Sequence, residues 1–550
     1  MGWNRLVKAG FVLTIVFLSG QHGYTQVNRY MVHFTDKQNT SFRIDNPEAY
    51  LSARAIERRT KQGIAITEQD LPVKALYVNG LEDIGIKTFF TSKWFNSVLV
   101  ECDAGAVPEI ETLPYVAFVE YVAPGSKITT KPEDVHYTIS STKRQKRRKT
   151  HGDVTSDQNK MLGLDVLHES GYTGQGKWVA IMDGGFFGAN NSRFFSRLFV
   201  NNKVKYTYDF VTGQNDVFKY TEHGTRVFSL IGAYAEDEFI GSAYDADFFL
   251  FVTEDVCGVC EHRVEEYNWV FAAEFADSAG VDVINTSLGY NLFEDPAMTY
   301  SYDEMDGNTA VISIAASIAS SRGMVVVTSA GNEGNLSWNF ITAPADAHNI
   351  ISVGNVNLDG IKSSSSSFGP SADGRIKPEL VALGTGVKVV SSSGAITTGN
   401  GTSFSSALVA GLIATTWNAF PDLTADEIRI FYEISASNAT SPDDEIGYGI
   451  PNFIAFDNLM QSDESDRDFI IYPNPVSGNQ FVIRANNPDE NSEVDIKIFD
   501  MNGKIQLKTT LYFSWLNNSQ VIDFFTLRKG VYIINLDTGS EIIKLRVVKI

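Results

Sequence analysis

The sequence predicts an α/β protein: a parallel β-sheet sandwiched by helices, preceded by an N-terminal α+β unit and followed by a C-terminal all-β sandwich. Three observations carry that prediction. Between residues 155 and 460, short apolar runs bounded by glycine, such as "KWVAIMDGG", "DADFFLFVTED", "VDVINTSLGY", "GMVVVTSAGNEG" and "NIISVGNV", alternate with helical stretches. Near-continuous apolar strands separated by helices are what a parallel sheet buried on both faces requires. From about Val27 to Val122, strand-like runs ("RYMVHFTD", "NSVLVEC", "VAFVEYV") mix with helix-like text ("PEAYLSARAIERRTKQG"), which describes a separate small unit. After Gln461 the text turns strand-like for about eighty residues, with Val494, Ile496 and Ile498 alternating on one face and Asn502-Gly503 as a hairpin turn.

Taken in chain order, residues 1–25 read as a secretory signal peptide. Arg5 and Lys8 precede an apolar run from Ala9 to Leu18, too short to span a membrane, with cleavage expected before Gln26. Residues 26–142 hold the α+β unit. A basic linker, 143–154, follows, with six basic residues in the seven positions from Lys143 to Lys149; such a run is solvated and sensitive to proteases. The α/β domain covers 155–460, an acidic linker 461–467, and the all-β domain 468–550. A second hairpin is expected in "GVYIINLDTGSEIIKLRVVKI".

A chain of 550 residues exceeds what one core serves, in keeping with this division. A composition 43% hydrophobic and 20% charged is that of folded soluble protein, and the net charge of -21 argues against a nucleic-acid partner. Three cysteines do not make a disulfide framework. Cys257 and Cys260 in "EDVCGVCEHR" are read as a local loop disulfide, with free thiols as the alternative; a lone Cys-x-x-Cys is a weak basis for zinc, which needs four ligands in a structural site. Cys102 is left over.

In open α/β sheets, sites gather at the carboxyl ends of the strands. Asp183, Asn285 to Gly289, and Ser329 to Glu333 all fall there. In "GTSFSSALVAGL", Ser403 sits at a Gly-Thr-Ser turn before an apolar run, a place that suits either a helix cap or a nucleophile. A nucleophilic serine needs a base and a group to orient that base. Of the eight histidines, His223 alone precedes Gly, Thr and an apolar helix-like run, which lifts its imidazole out of a first helical turn. Asp183, ending "KWVAIMD", can accept the other imidazole N–H and fix its tautomer.

The blocks "GYTGQGKWVAIMDGG", "HGTRV", "GVDVINTSLGY", "VVVTSAGNEG", "SSFGPSADGRIKPELVALG", "GTSFSSALVAG" and "GYGIPN" occur in the order in which subtilisin-like serine proteases, the subtilases, carry theirs. The sequence resembles that family over about three hundred residues. The resemblance implies a subtilisin-like sheet, Asp183 as the orienting acid, His223 as general base and then acid, Ser403 as nucleophile, and Asn332 as the amide of the oxyanion hole. It implies that Ser287, Leu288 and Gly289 pair with extended substrate backbone, and that Ser329, Ala330 and Gly331 wall the pocket for the residue before the cut. No acid lies within those segments, so an apolar or uncharged residue is expected there. Two departures from the family pattern stand out. Gly184 replaces the usual Ser or Thr after the acid, and Arg226 replaces the second His of His-Gly-Thr-His.

The flanks acquire meanings from the same resemblance. Residues 26–142 stand where subtilases carry an inhibitory propeptide that assists folding, and the basic linker becomes the expected maturation site. The C-terminal domain, with "YPNP", "DMNGK" and "KGVYIINL", resembles the sorting domain of the type IX secretion system of Bacteroidetes. The expectation is therefore a preproenzyme exported across the inner and outer membranes and secreted or held at the cell surface. It would be a serine endopeptidase acting through an acyl-enzyme, with protein or peptide substrates, its own propeptide and the type IX machinery as partners, and a monomeric state. No cofactor is required for such catalysis. Structural calcium is compatible with the resemblance, with "TED" at 253–255 or "DEMDGN" at 303–308 as oxygen donors, although no complete calcium loop is readable. The rival reading is a catalytically silent subtilase fold used for surface binding or adhesion, supported by Gly184 and Arg226 and opposed by the presence of all four site residues. A lipase or esterase would place Ser before His, the reverse of the order here.

Overall fold

The computed structural model describes residues 27–125, 152–256, 261–466 and most of 469–549. The expected signal peptide, the basic run Lys143–Lys149 and the Cys257 and Cys260 pair lie outside the described residues.

The N-terminal unit consists of strands β1 (Val27–Phe34), β2 (Lys87–Ser92), β3 (Ser97–Asp103) and β4 (Val116–Pro124), with helices α1 (Ala53–Lys61), α2 (Ala75–Asp83) and α3 (Val107–Glu111). The strands form an antiparallel sheet in the order β2-β3-β1-β4. Strand alternation sends its side chains to two destinations. Tyr30, Val32 and Phe34 join Val98 and Val100 in the unit's own core. Met31 and Leu99 point the other way and belong to the core of the next domain. The text "PEAYLSARAIERRTKQG" is not one helix: a short turn at Pro47–Ala49 precedes α1, which starts where Ser52 Oγ accepts the Ala55 N–H at 3.1 Å.

The central domain contains β5 (Trp178–Asp183), β6 (Val204–Asp209), a small hairpin of β7 (Tyr234–Ala235) and β8 (Phe239–Ile240), β9 (Asp247–Val252), β10 (Val283–Thr286), β11 (Val325–Ser329), β12 (Ile351–Val356) and β13 (Leu380–Leu383). Seven of these form one sheet in the order β13-β12-β11-β10-β5-β9-β6, and every pairing in it is parallel. Short helices α4 (Ser156–Met161), α5 (Leu164–Glu169) and α6 (Ser196–Val200) precede four longer ones: α7 (His223–Gly232), α8 (Arg263–Ala279), α9 (Val311–Ser321) and α10 (Thr402–Ala419). Val179 and Ile181 of β5 pack with α7 and α10, whereas Ala180 and Met182 pack with α8 and α9. Burial on both faces explains why these strands read as unbroken apolar runs. The chain leaves β5 for β6 and β9 on one side, then crosses to β10 on the other. The crevice beside β5 is therefore the switch point at which open sheets place their sites.

A hairpin of β14 (Thr385–Val390) and β15 (Ile396–Asn400), which the sequence did not announce, leads into α10. Helices α11 (Ala425–Ser435) and α12 (Phe453–Asp466) close the domain, and residues 461–466, expected as an acidic linker, continue α12. The C-terminal domain has two antiparallel sheets, β16 (Phe469–Tyr472) with β17 (Gln480–Ala485) and β20 (Ser519–Asp523), and β18 (Ser492–Asp500) with β19 (Ile505–Phe513), β21 (Gly530–Asp537) and β22 (Ile542–Lys549), around a core of its own. Both expected hairpins pair antiparallel, β18 with β19 and β21 with β22. No helix among the described residues is long and apolar enough to cross a membrane.

The N-terminal unit sits on α8 through charge as well as apolar contact. Glu274 accepts hydrogen bonds from the Ser92 hydroxyl and from the N–H groups of Lys93 and Trp94, the latter two at 2.8 and 3.0 Å. Asp277, fully buried, takes Arg58 at 2.7 Å, Arg59 at 2.8 Å and Lys93 at 3.0 Å. Burial alone would raise its pKa, but Lys93, Arg59 and Arg58 outweigh it and hold the carboxyl well below the ordinary carboxylate range.

Candidate active site

Asp183, His223 and Ser403 come from the ends of β5, α7 and α10, which meet at the carboxyl edge of the sheet. Asp183 is the last residue of β5 and is fully buried. Its Oδ1 accepts the Gly184 N–H at 2.9 Å, so the main chain supplies a carboxylate hydrogen bond that no side chain at 184 can give. His223 is the first residue of α7, and its Nδ1 lies 3.0 and 2.9 Å from Asp183 Oδ1 and Oδ2. That contact holds the proton on Nδ1 and leaves Nε2 as a base. Burial lowers the imidazole pKa, but the charge and hydrogen bond of Asp183 outweigh it, and the ring titrates above its ordinary 6.5.

Ser403 is the second residue of α10 and is 7% exposed. The helix begins after Gly401, whose φ of 144° is one that side-chain-bearing residues rarely adopt. A Cβ at Gly401 would lie 3.9 Å from both Asn332 Nδ2 and the Ser403 N, so these two donors border one small space. Asn332 Oδ1 accepts from Thr402 N at 3.0 Å and Thr402 Oγ1 at 3.2 Å, which leaves the NH2 as the donor end of that amide. The Ser403 hydroxyl donates to the Ser287 carbonyl at 3.3 Å, while the His223 ring lies 6.0 Å from that of Phe404, centre to centre.

The expected substrate-binding residues fall on neighbouring strands beside the helix start. Ser287 follows β10 and donates through Oγ to the Ser403 carbonyl at 3.1 Å. Leu288 is buried and accepts from Ser329 Oγ at 3.3 Å, whereas Gly289 is exposed. Ser329 ends β11, and the Ala330 N–H donates to Val353 at 3.0 Å. Gly331 accepts from Ser367 N at 3.0 Å and Thr402 Oγ1 at 3.2 Å; a Cβ there would lie 2.8 Å from Ser367 Oγ.

Three features escaped sequence reasoning. Arg226 is a tethered cation: it ion-pairs with Glu222, whose other oxygen accepts Ser392 N at 2.9 Å and Ser392 Oγ at 2.6 Å, tying the start of α7 to the loop after β14. The second is a carboxylate, Glu254, which sits beside Gly184: a Cβ at 184 would lie 3.0 Å from Glu254 Oε2 and 2.5 Å from Val256 Cγ1. The missing Ser or Thr at 184 was the signal that could have found it. The third is Thr402, which holds the Asn332 amide. Among the described residues no group of three or more His, Cys, Asp or Glu side chains is arranged to hold a metal ion. In the segment 303–308, Asp306 Oδ1 is taken by the N–H groups of Asn308 and Thr309.

Comparison with known proteins agrees in all three parts of the chain. Residues 174–449 match the subtilase family, 29–137 the peptidase S8 propeptide domain of Bacteroidota, and 470–549 a secretion system C-terminal sorting domain. Subtilisin NAT of Bacillus subtilis subsp. natto is 27% identical over 349 residues, which cover 63% of this chain and 76% of that protein. The human membrane-bound transcription factor site-1 protease is 27% identical over 259 residues, 46% of this chain and 22% of that protein. Among solved structures, MycP1 with its N-terminal propeptide removed aligns with a TM-score of 0.43 and 24% identity, over 55% of this chain and 96% of its own. MycP1 from Mycobacterium smegmatis gives 0.43 and 21%, over 57% and 86%.

Proposed function

This chain belongs to the subtilase family and is a secreted serine protease carrying its own propeptide and sorting domain, and from that premise we propose that it hydrolyses peptide bonds through Asp183, His223 and Ser403. His223 Nε2 takes the Ser403 proton as Oγ attacks the scissile carbonyl, and Asp183 stabilises the imidazolium that forms. The tetrahedral oxyanion lies between Asn332 Nδ2 and the Ser403 N–H, donors fixed before the reaction begins. Collapse expels the amine, which receives the proton from His223 and leaves an acyl group on Ser403. Water then repeats the sequence, and the acid product departs. A substrate added as an extended strand along Ser287 to Gly289 would present its carbonyl to this site through main-chain hydrogen bonds, which suits an endopeptidase.

The observation that carries this reading is the double approach of His223 Nδ1 to Asp183, at 3.0 and 2.9 Å, beside the helix that begins with Thr402 and Ser403. Propeptide release by cleavage in the basic linker would convert the exported precursor into the working enzyme. The test is kinetic, on the matured protein and a peptide substrate. Ser403→Ala abolishes turnover, and Asn332→Ala lowers kcat by roughly 100- to 1000-fold, the cost the handled oxyanion charge imposes in subtilisin when the equivalent amide is lost. Full turnover in Ser403→Ala would discard the reading.

A further inference from the structure

The tip of the β14–β15 hairpin touches the segments that carry all three residues of the proposed triad. Its second strand, β15, ends at Asn400 and leads directly to Ser403. On one side the tip meets the loop that follows Asp183: Gly188, at φ 83°, carries no side chain, and a Cβ there would lie 2.8 Å from Ser392 Cα. On the other side it meets the start of α7, where Glu222 Oε2 accepts from Ser392 N at 2.9 Å and from Ser392 Oγ at 2.6 Å. Farther along α7 the Val390 N–H donates to Ser229 Oγ at 3.0 Å. The loop after Asp183 is also joined to this part of the chain directly, by the Phe187 N–H to the Thr221 carbonyl at 3.0 Å and by Thr225 Oγ1 to the Phe187 carbonyl at 2.8 Å.

Glu222 stands immediately before His223 at the N-cap of α7. A residue kept there only to start the helix would accept N–H groups of the first turn, and the Glu222 side chain accepts none of them. Its carboxylate instead takes Ser392 on one oxygen and the Arg226 guanidinium on the other. Burial raises the Glu222 pKa, but the two Ser392 donors and Arg226 outweigh it, so the group titrates below its ordinary range and is ionised wherever His223 can act as a base. Arg226, the departure from the family's second His, thereby acquires a use: it occupies Oε1 and leaves Oε2 for the hairpin. A partly exposed ion pair contributes little to stability, so the consequence of this contact lies in geometry.

We infer that Glu222 is a positioning residue for the reaction: through Ser392 it locks the helix that presents His223 to the hairpin that leads to Ser403, and so sets the distance the proton crosses between them. The inference rests on the proposed triad and adds the group that holds its register. Proton transfer is steeply sensitive to placement, and a displacement of about 1 Å costs up to about 100-fold in rate. The segment expected to pair with substrate, Ser287 to Gly289, follows β10 and directs its hydrogen bonds to Ser403, Ser406, Asn285 and Ser329 and not to the hairpin. Loss of the Glu222 contact therefore slows the chemical step and leaves substrate binding in place.

The test measures kcat and KM on matured enzyme and an internally quenched peptide, with kcat referred to the fraction of Ser403 that a fluorophosphonate labels to completion, so that misfolded protein does not enter. Glu222→Ala lowers kcat by about 10- to 100-fold with KM within about twofold of the parent. Ser392→Ala, which keeps the main-chain donor, lowers kcat by about threefold, and Glu222→Gln, which keeps the length of the side chain and loses its charge, falls between the two. The double variant Glu222→Ala/Ser392→Ala is no slower than Glu222→Ala alone, because the second change removes a bond already lost. A kcat within about twofold of the parent in Glu222→Ala, a loss confined to KM, or losses that multiply in the double variant overturn the inference and leave the triad standing. A parent enzyme whose Ser403 takes no label overturns the triad itself.

Discussion

The two ends of α8 bury acidic residues in opposite ways. At its carboxyl end, Asp277 is enclosed by Arg58, Arg59 and Lys93 from the propeptide and stays ionised. At its amino end, Glu265 is as deeply buried, faces Glu261 and Glu254, and is pushed well above its ordinary range. Burial costs both groups the same kind of solvation, so the difference lies in who supplies the countercharge. For Asp277 the partner is a permanent part of the precursor until maturation. For Glu265 no lysine or arginine among the described residues stands within ion-pair distance, and burial together with the neighbouring Glu261 and Glu254 raises its pKa instead.

The comparison can be broken most forcefully at Asp277. In a full-length Ser403→Ala background, which prevents self-cleavage, Asp277→Asn should destabilise the precursor by about 3–5 kcal/mol in chemical denaturation, because three buried cations lose their shared partner. Glu265→Gln, in the same background and at the same depth, should cost less than about 1 kcal/mol or stabilise, since no cation is orphaned. Equal losses for the two would show that the ends of α8 do not differ as described. A smaller effect is expected at Gly184. Gly184→Ser inserts a Cβ where Val256 and Glu254 now lie, and in the same background the overpacking should destabilise the protein by about 1–3 kcal/mol in chemical denaturation. The smallest effect is that of salt: raising ionic strength from about 0.05 to 0.5 M should leave the stability difference between Asp277→Asn and its parent nearly unchanged, because buried contacts are little screened.

What the sequence made legible follows the same division. Asp183, His223, Asn332 and Ser403 stand at the ends of strands and helices whose boundaries local pattern announces, so their types and order were readable along the chain. The parallel sheet was equally readable, since strands buried on both faces leave unbroken apolar text such as "DADFFLFVTED". Arg58 and Arg59 were not readable as buried groups: in "AIERRTK" they look like a solvated helix face, and only the docking of α1 against α8 encloses them. Glu254 lies in "TED", which reads locally as oxygen donors for calcium, and nothing local tells that it folds back onto Gly184. Partners distant in sequence decide the state of a charge, and neither periodicity nor spacing encodes them.

The measurement that tests the central claim most directly is labelling of the matured protein with a fluorophosphonate across a pH series, with the modified peptide identified by mass spectrometry. The account predicts one adduct, on Ser403, lost in Ser403→Ala. Its rate should rise with pH through a midpoint above 6.5, because Asp183 holds His223 protonated beyond the ordinary imidazole range and only the neutral ring can act as base. An unlabelled Ser403 in propeptide-free protein, or a rate with no dependence on pH between about 5 and 9, would contradict it.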